Sequence, residues 1–187
     1  MARAYIAVGS NIQPEENVRK AVKLLSQRVK LTAISTVYET APEGLPAGRQ
    51  TGGRNQPPYY NCVLAIETDL PPVELKRSVL RRIEDELGRQ RGQDRFASRT
   101  IDLDLILYDN LTLSVGAQHA VLLHLPDPEI RERPYLALPL FELDPGLTLP
   151  DTGESIGQIA GRLGSVGLTP LPDYTLALQT EIADGHG

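Results

Sequence analysis

The sequence predicts an α+β fold of the ferredoxin-like βαββαβ class, an antiparallel sheet with helices packed on one face, followed by a C-terminal extension. Three observations predict it. Segments with strand and helix character alternate in the order strand, helix, strand, strand, helix, strand. Both helical segments are amphipathic. The chain of 187 residues, 41% of them hydrophobic, is long enough to bury the core of a single domain.

The first half of this pattern lies near the N terminus. Residues 5–8 predict a strand. Apolar residues then recur at helical spacing over residues 15–28, and Asn11 is placed to cap that helix. Residues 31–40 are rich in β-branched and aromatic side chains and therefore predict the second strand.

The second half follows a long loop at residues 41–58, whose glycines and prolines are typical of functional or disordered loops. Residues 59–68 predict the third strand. A pair of prolines opens an amphipathic helix over residues 71–87. Residues 99–108 predict the fourth strand, which completes the pattern.

The C-terminal extension gives weaker signals. It holds a short apolar stretch at residues 120–125 and predicted helices over residues 135–143 and 155–163. We expect residues 1–178 to form one domain and residues 179–187 to form a frayed tail.

The composition excludes several classes of protein. The single cysteine, Cys62, rules out an internal disulfide and a cysteine-rich zinc site. The apolar run at the N terminus is too short for a signal peptide or a membrane span, so we expect a cytoplasmic protein. A formal net charge of −5 and a pI of about 5.2 are unlike a generic nucleic-acid binder. We therefore expect small-molecule substrates, no nucleic-acid or membrane partner, and a monomer.

Two carboxylates interrupt the fourth predicted strand. Asp102 and Asp104 share one parity, and strand side chains alternate between faces, so both carboxylates should point the same way. The apolar residues of the other parity are Ile101, Leu103, Leu105 and Leu107. Mg²⁺ takes oxygen ligands and often shares one or two carboxylates with substrate phosphates. The pair favours a metal site, although a merely solvated strand face is an open alternative.

Arginines cluster just upstream, in residues 88–99. They are Arg89, Arg91, Arg95 and Arg99. Phosphoryl transfer uses arginines and metal ions to neutralise the charge on phosphate oxygens. A solvated basic loop or a nucleic-acid contact would give the same local composition, but the low pI favours a small phosphorylated ligand.

Six segments, in the same order, resemble the 6-hydroxymethyl-7,8-dihydropterin pyrophosphokinase family. They are AYIAVGSN at 4–11, VYETAP at 37–42, YYNC at 59–62, RIEDELGR at 82–89, RTIDLDLILY at 99–108 and PLFELDP at 139–145. The resemblance covers the chain from Ala4 to about Pro150. It implies an enzyme of folate biosynthesis that moves the β,γ-pyrophosphoryl group of ATP onto the hydroxymethyl group of a reduced pterin and releases AMP.

The resemblance also implies roles at the ATP end of the site. Asp102 and Asp104 match two aspartates that hold two Mg²⁺ ions. Arg89 and Arg99 match arginines that stabilise the transferred phosphate, which together with the two aspartates makes four catalytic residues. Further positions matched to the nucleotide site are Glu84, Arg91, Leu105, His124 and Arg133.

At the pterin end, Asn61 matches the amide that hydrogen-bonds the ring edge. Tyr59 and Tyr135 match the two aromatic residues that sandwich the ring. Phe96, in the arginine loop, matches a position usually held by Trp, which folds over the substrate when the loop closes. The segment that lines the other ring edge matches Thr40, Ala41 and Glu43.

Some positions depart from the family pattern. Asp127 stands where a His is common, Pro128 takes an aromatic position, and Gly92 replaces a basic residue of the arginine loop. These departures bear on ATP affinity and loop kinetics rather than on the reaction class.

Two alternatives stay open beside the enzyme. One is a non-catalytic ferredoxin-like module that binds nucleotides or RNA. The other is a family member that binds pterin and ATP without reacting. An ordinary Walker-type ATPase is disfavoured because the chain has no GxxxxGK[ST] segment.

Overall fold

The computed structural model describes residues 1–42, 57–89, 98–116 and 122–184. In chain order the elements are β1 (Ala2–Ser10), α1 (Pro14–Ser26), β2 (Lys30–Ile34), β3 (Tyr38–Thr40), β4 (Tyr59–Thr68), α2 (Pro72–Glu74), a π-helical segment (Leu75–Leu80), α3 (Arg81–Glu86), β5 (Asp102–Tyr108), β6 (Leu113–Val115), β7 (Leu123–Leu125), a 3₁₀ helix (Pro128–Arg131), α4 (Pro134–Leu143), α5 (Ile156–Leu163), β8 (Thr169–Pro170) and α6 (Pro172–Asp184). The π-helical segment joins α2 to α3 without a break, so the three form one helical stretch.

The main sheet is antiparallel. Its strand order is β5-β1-β4-β3-β8, and β2 also pairs with β4. An α+β domain built on an antiparallel sheet is therefore confirmed. The strand predicted at residues 31–40 is divided into β2 and β3. At the division, the Oγ of Ser35 accepts a hydrogen bond from the backbone N–H of Val63 at 2.9 Å, which keeps the chain tied to β4.

The first face of the sheet packs against α1, the α2–α3 stretch and α6. The sheet residues buried there are Ala4, Ile6, Val8, Cys62, Leu64 and Ile66. The apolar residues of α1 at helical spacing are buried against them, namely Val18, Ala21, Val22 and Leu25. The two long helical segments thus lie on one face, as the sequence predicts.

The opposite face is partly covered as well, contrary to the prediction of helices on one face only. Helices α4 and α5 of the C-terminal extension pack there against Tyr5, Val63 and Ala65. Their own buried residues are Leu136, Ala137, Leu140, Ile156, Ile159 and Ala160. Helix α4 is almost wholly apolar, so it must be covered on more than one side, and the sheet and α5 together provide that cover.

A β-bulge changes the side-chain register of β5. Tyr5 of β1 pairs with Leu107, whereas the next residue, Ile6, pairs with Leu105, so that Ile106 is an extra residue. The predicted parity is therefore wrong beyond the bulge: Leu107 packs with Tyr5 against α4, not with Leu105 against the helices of the first face.

The start of α1 also differs from the prediction. Its N-cap residue is Gln13, which has a φ of 42° and makes no side-chain capping bond. The predicted cap, Asn11, instead accepts a hydrogen bond from the backbone N–H of Arg99 on its Oδ1 at 2.7 Å. Because β1 and β5 are neighbours, this contact ties the end of β1 to the segment that leads into β5.

At the C terminus, α6 continues to Asp184 and so includes residues 179–184, the first part of the predicted tail. None of the helices in the described ranges is long and apolar enough to cross a membrane.

Candidate active site

A cavity of about 360 Å³ opens at the end of the second sheet face that α4 and α5 leave uncovered. Strands β1, β4 and β5 form its floor, and it lies between β3 and the start of α4. The predicted site residues that line it are Thr40, Ala41, Tyr59, Asn61, Arg99, Asp102, Asp104, Arg133 and Tyr135.

Asn61, Gly9 and Asp102 lie side by side across three strands. Gly9 of β1 is the register partner of Asn61 on β4 and of Asp102 on β5. Directly opposite residues of an antiparallel pair point to the same face. Two residues back along β1, Ala7 lies opposite Asp104. The small residues of β1 therefore leave space between an amide on one side and two carboxylates on the other.

Asp102 is held by two arginines. Nη1 of Arg89 donates a hydrogen bond to its Oδ1, and Nη1 of Arg99 donates to its Oδ2. The Asp102 side chain is 13% exposed, so this cluster is largely shielded from water. Both arginines predicted to stabilise the transferred phosphate thus lie beside a predicted metal ligand.

Glu84 lies beneath this cluster and does not line the cavity. Its side chain is only 5% exposed. Its Oε1 accepts hydrogen bonds from Nη1 of Arg89 and, at 2.9 Å, from the backbone N–H of Leu103. A buried carboxylate is tolerated only when it is paired and hydrogen-bonded. Glu84 therefore ties α3 to β5 and orients Arg89, and the structure places it behind the arginine.

Asp104 has a different partner. Nζ of Lys76, in the π-helical segment, donates to its Oδ1 at 3.1 Å. The Lys76 side chain is 16% exposed and that of Asp104 is 46% exposed, so the carboxylate faces the cavity while the lysine lies behind it. Each of the two carboxylates is thus neutralised by cationic side chains of the protein itself.

The two carboxylates fit a hard cation that is bound together with phosphates. The described ranges contain no group of three or more His, Cys, Asp or Glu side chains that could hold a metal without help. Mg²⁺ commonly keeps several waters and binds one or two carboxylates plus substrate phosphates. Asp102 and Asp104 offer that donor set, because both open onto the same cavity.

Asn61 lies at the other end of the row, where its amide is fixed. Its Nδ2 donates a hydrogen bond to Oγ1 of Thr40 at 2.8 Å, and both residues are buried. An asparagine amide has two N–H donors and one oxygen acceptor. One donor is used by Thr40, so the group still offers a donor and an acceptor to a flat heterocycle.

Two tyrosines border the cavity from different elements, Tyr59 on β4 and Tyr135 at the start of α4. Burial raises the pKa of the Tyr59 hydroxyl, and the charges of Arg99 and Arg89 oppose that effect. The phenol is therefore neutral at physiological pH and is suited to stacking or hydrogen bonding.

The segment leading into α4 brings further charges to the cavity. Arg133 is the N-cap residue of α4, with its Nε 3.8 Å from Oε2 of Glu129. Asp127 caps the 3₁₀ helix by accepting the backbone N–H of Glu129 at 2.8 Å. Burial raises the pKa of the Asp127 carboxyl; the Glu129 N–H and Lys76 oppose this, while the charges of Asp104 and Glu129 add to it.

Besides Glu84 and Arg89, two other predicted site residues do not line the cavity. Leu105 is 1% exposed in the core of the first face, because its parity turns its side chain away from the cavity. His124 is exposed on β7, in the small β6–β7 sheet. The predicted residues Glu43, Arg91 and Phe96 lie outside the described residues.

Several lining or supporting residues were not predicted. Gly9 carried a signal, since a glycine inside a strand indicates close approach of a neighbouring group. Lys76 carried none, because a lysine on an amphipathic helix is ordinarily a solvated residue. Ile106 has the parity of Asp102 and Asp104, so alternation places it on the cavity face, whereas Glu129 joins the cavity wall through the 3₁₀ turn.

Comparison with known proteins agrees with this geometry. The profile of the 7,8-dihydro-6-hydroxymethylpterin-pyrophosphokinase (HPPK) family matches residues 5–145. The 2-amino-4-hydroxy-6-hydroxymethyldihydropteridine pyrophosphokinase of Haemophilus influenzae is 37% identical over 155 residues, which cover 81% of this chain and 88% of that protein. The protein of the same name from Pseudomonas aeruginosa is 32% identical over 173 residues, or 91% of this chain and 97% of that one.

Solved structures share the fold. Plasmodium falciparum wild-type HPPK-DHPS with pteroate matches 86% of this chain with a TM-score of 0.65 and 12% sequence identity. This chain covers 42% of that longer chain, and at such low identity the likeness concerns the fold alone. The profile and the bacterial relatives, in contrast, extend over most of the sequence. On that basis the chain belongs to the 7,8-dihydro-6-hydroxymethylpterin-pyrophosphokinase family.

Proposed function

We propose that this chain transfers the β,γ-pyrophosphoryl group of ATP to the hydroxymethyl group of 6-hydroxymethyl-7,8-dihydropterin and releases AMP, a step of folate biosynthesis. One observation carries the proposal. The row Asn61–Gly9–Asp102 joins an amide end suited to a heterocycle with a carboxylate–arginine end suited to metal-bound phosphates. The bacterial relatives named for pyrophosphokinase activity support the same assignment.

At the pterin end, Asn61 hydrogen-bonds the edge of the ring while Thr40 holds the amide in place. Tyr59 and Tyr135 stack on the two faces of the ring, because flat aromatic systems favour offset stacking. Ala41 lies next to Thr40 at the rim of the cavity and lines the same edge. Glu43 and Phe96 belong to the pterin site by family resemblance.

At the nucleotide end, Asp102 and Asp104 would hold two Mg²⁺ ions together with the phosphates of ATP. When bound, the ions neutralise phosphate charge and help to align the transferred group. The same-face placement of the two carboxylates and their opening onto one cavity support this assignment.

The arginines serve the transferred group. Arg89 and Arg99 contact Asp102 from two sides, so a cation at that carboxylate frees their guanidinium groups for phosphate oxygens a short distance away. Arg133 approaches the cavity from the start of α4, and Arg91 is assigned to ATP by family resemblance. The pterin hydroxyl oxygen bonds to the β-phosphorus and gives up its proton to water, the bond from that phosphorus to the AMP oxygen breaks so that AMP leaves, and the arginines offset the charge on the transferred group.

The finer description of the fold is also a proposal. We assign residues 1–178 to one domain, whose elements from β1 to β5 form a ferredoxin-like βαββαβ unit. The placement of β1 between β5 and β4, with β2 and β3 beside β4, supports that topology. We expect a monomer in the cytoplasm, and the single buried cysteine fits a reducing compartment.

A non-catalytic module that binds nucleotides or RNA is less consistent with the site. Its paired carboxylates would repel a nucleic-acid backbone, and the net charge of −5 adds to that repulsion. A family member that binds both substrates without reacting has the same residues, so only an assay separates it from the enzyme.

The decisive assay incubates the full chain with Mg²⁺, ATP and 6-hydroxymethyl-7,8-dihydropterin and measures the adenine nucleotide released. AMP that forms only when the pterin is present supports pyrophosphoryl transfer. ADP would indicate transfer of a single phosphoryl group, and no product would indicate a binding protein; either result rejects the proposal.

A further inference from the structure

Lys76 reaches Asp104 around the edge of the sheet. Among the described strands β5 pairs only with β1, so no strand blocks its other edge at Asp104, between the bonds that Leu103 makes to Glu84 and Ile106 makes to Asp127. The lysine belongs to the helices of the first face, yet its Nζ donates to Oδ1 of Asp104, whose side chain lies on the cavity face. Within the described ranges this is the one hydrogen bond or ion pair on the Asp104 carboxylate.

The helical stretch holds the lysine at this edge. Leu75, Val79 and Leu80 of the π-helical segment are buried in the first core, and the segment lies against β5. The next residue, Arg77, is 62% exposed, whereas Lys76 is 16% exposed. Short π-helical turns occur frequently at functional sites. Lys76 is therefore a positioned cation and not a solvated one.

An ammonium group beside a metal-ligating carboxylate can act in two opposing ways. It can orient the carboxylate, which raises metal affinity, as hydrogen-bonded outer partners do. It can also occupy the oxygen and repel the incoming cation. Repulsion is the larger effect here because the ammonium group and the metal ion would share one carboxylate. The lysine is also shielded from solvent, so its ammonium group has little water into which it can move away from the metal ion.

We propose that Lys76 is a resident counter-ion of Asp104 that a divalent cation must displace, so that metal binding at this carboxylate depends on the phosphates of a bound nucleotide. This inference rests on the metal site assigned under the proposed function. A triphosphate supplies negative charge that attracts both the metal and the displaced ammonium group. Without it, the carboxylate is already neutralised, and the metal enters with the nucleotide and not ahead of it.

The test measures Mn²⁺ binding to the full chain by electron paramagnetic resonance of the free ion, with and without a non-hydrolysable methylene analogue of ATP. Without the analogue, K76M should bind Mn²⁺ about tenfold or more tightly than the wild type, the scale on which outer partners change metal affinity. With the analogue, the difference should shrink. K76R keeps the positive charge and should behave like the wild type. K76Q tests the same point if K76M does not fold.

Two controls make the result specific. K30M removes the same charge from the Lys30–Glu67 pair of β2 and β4, outside the cavity, and should leave Mn²⁺ binding unchanged. D104N in the K76M background should abolish the gain, because the gain acts through that carboxylate.

The possible outcomes separate the two proposals. Equal or weaker Mn²⁺ binding by K76M without nucleotide, in a protein that binds Mn²⁺ with the analogue, overturns the role of Lys76 alone. Absence of Mn²⁺ binding in every variant, even with the analogue, overturns the metal assignment and the counter-ion role with it.

Discussion

Gly9 and Asn61 approach each other so closely across β1 and β4 that a Cβ atom on Gly9 would lie 3.2 Å from Oδ1 of Asn61. Gly9 is not in the left-handed region, so its role is spatial and not conformational. The contact lies in the cavity floor, between the amide end and the carboxylate end of the site. A side chain added at position 9 would therefore first displace the amide of Asn61, which we propose binds the pterin.

Replacing Gly9 with Ala should raise the KM for the pterin about tenfold, because the new methyl group crowds Asn61 at a cost of roughly 1–3 kcal/mol. The KM for ATP should change much less. Steady-state kinetics with the pterin varied at saturating ATP provides the measurement. G161A is the matched control, since Gly161 is an exposed residue of α5 with no atom within 4 Å of an added Cβ. A wild-type pterin KM in G9A would remove Asn61 from the pterin site.

Thr40→Val should weaken pterin binding about fivefold, because the amide of Asn61 loses an acceptor worth roughly 0.5–1.5 kcal/mol. N61A should weaken it more. The double variant should be no worse than N61A alone, because Thr40 acts only through the amide. Equilibrium titration with the pterin and the ATP analogue measures all four proteins, and additive losses would contradict the coupling.

Asp102→Ala and Asp104→Ala should each reduce turnover by at least about a hundredfold, the loss seen when a group that stabilises transition-state charge is removed. Binding of Mg–ATP should weaken as well. D109N is the control, because Asp109 is exposed and lies outside the cavity lining, where its side chain accepts the backbone N–H of Arg3 at 2.7 Å. Full activity of both alanine variants would refute the metal assignment.

Glu84→Ala should lower the free energy of unfolding by about 3 kcal/mol, because it leaves the backbone N–H of Leu103 and the guanidinium of Arg89 without a buried acceptor. E86A removes a more exposed carboxylate of the same helix, paired with Arg28, and should cost about 0–1 kcal/mol. Urea unfolding compares them. If Glu84 acts by contacting ATP, the isosteric E84Q would instead raise the KM for ATP at unchanged stability.

Asp127→Asn should stabilise the protein at neutral pH. Burial raises the pKa of this carboxyl in the folded state above its ordinary value. The folded protein therefore holds the proton more tightly than the unfolded chain does, and stability falls as pH rises through the acid range. The asparagine removes that loss, so its advantage should appear at pH 7 and vanish below about pH 4, the ordinary aspartate pKa.

Thermal unfolding at both pH values measures the Asp127 effect. D127A provides the comparison, because alanine also loses the capping bond to the N–H of Glu129. It should be less stable than D127N by about 1 kcal/mol. An advantage of D127N that persists unchanged at low pH would contradict the electrostatic cause.

Local periodicity was sufficient to predict most of the fold. The helical spacing of Val18, Val22 and Leu25 and the alternation around Asp102 and Asp104 each follow from one element considered alone. The split of the second strand at Ser35 depends on a bond to Val63, in another strand, and so could not be found from local pattern. The covering of the second face by α4 is likewise a tertiary property.

The candidate site divides in the same way. The aspartates and arginines could be predicted as site residues because their chemistry and spacing are apparent within one short segment. Lys76 and Glu84 act across elements, one around a sheet edge and one beneath β5. Nothing in the sequence of an amphipathic helix distinguishes a lysine that reaches a carboxylate from one that meets water. His124 shows the converse, since a residue type common in sites lies here with its side chain exposed on β7.

The extra residue in β5 makes one strand serve two tasks with opposite demands. Before Ile106 the cavity-side parity carries carboxylates that must meet solvent and ligand; after it the same side carries Leu107, which must stay dry against Tyr5. A regular strand, without the bulge, would have placed every second residue on that side. If the bulge were straightened with Ile106 kept, Leu107 and Tyr108 would exchange faces, while Asp102 and Asp104 would keep theirs. Substitutions before Ile106 can therefore change the binding site, and substitutions after it can change the packing against α4, independently of each other.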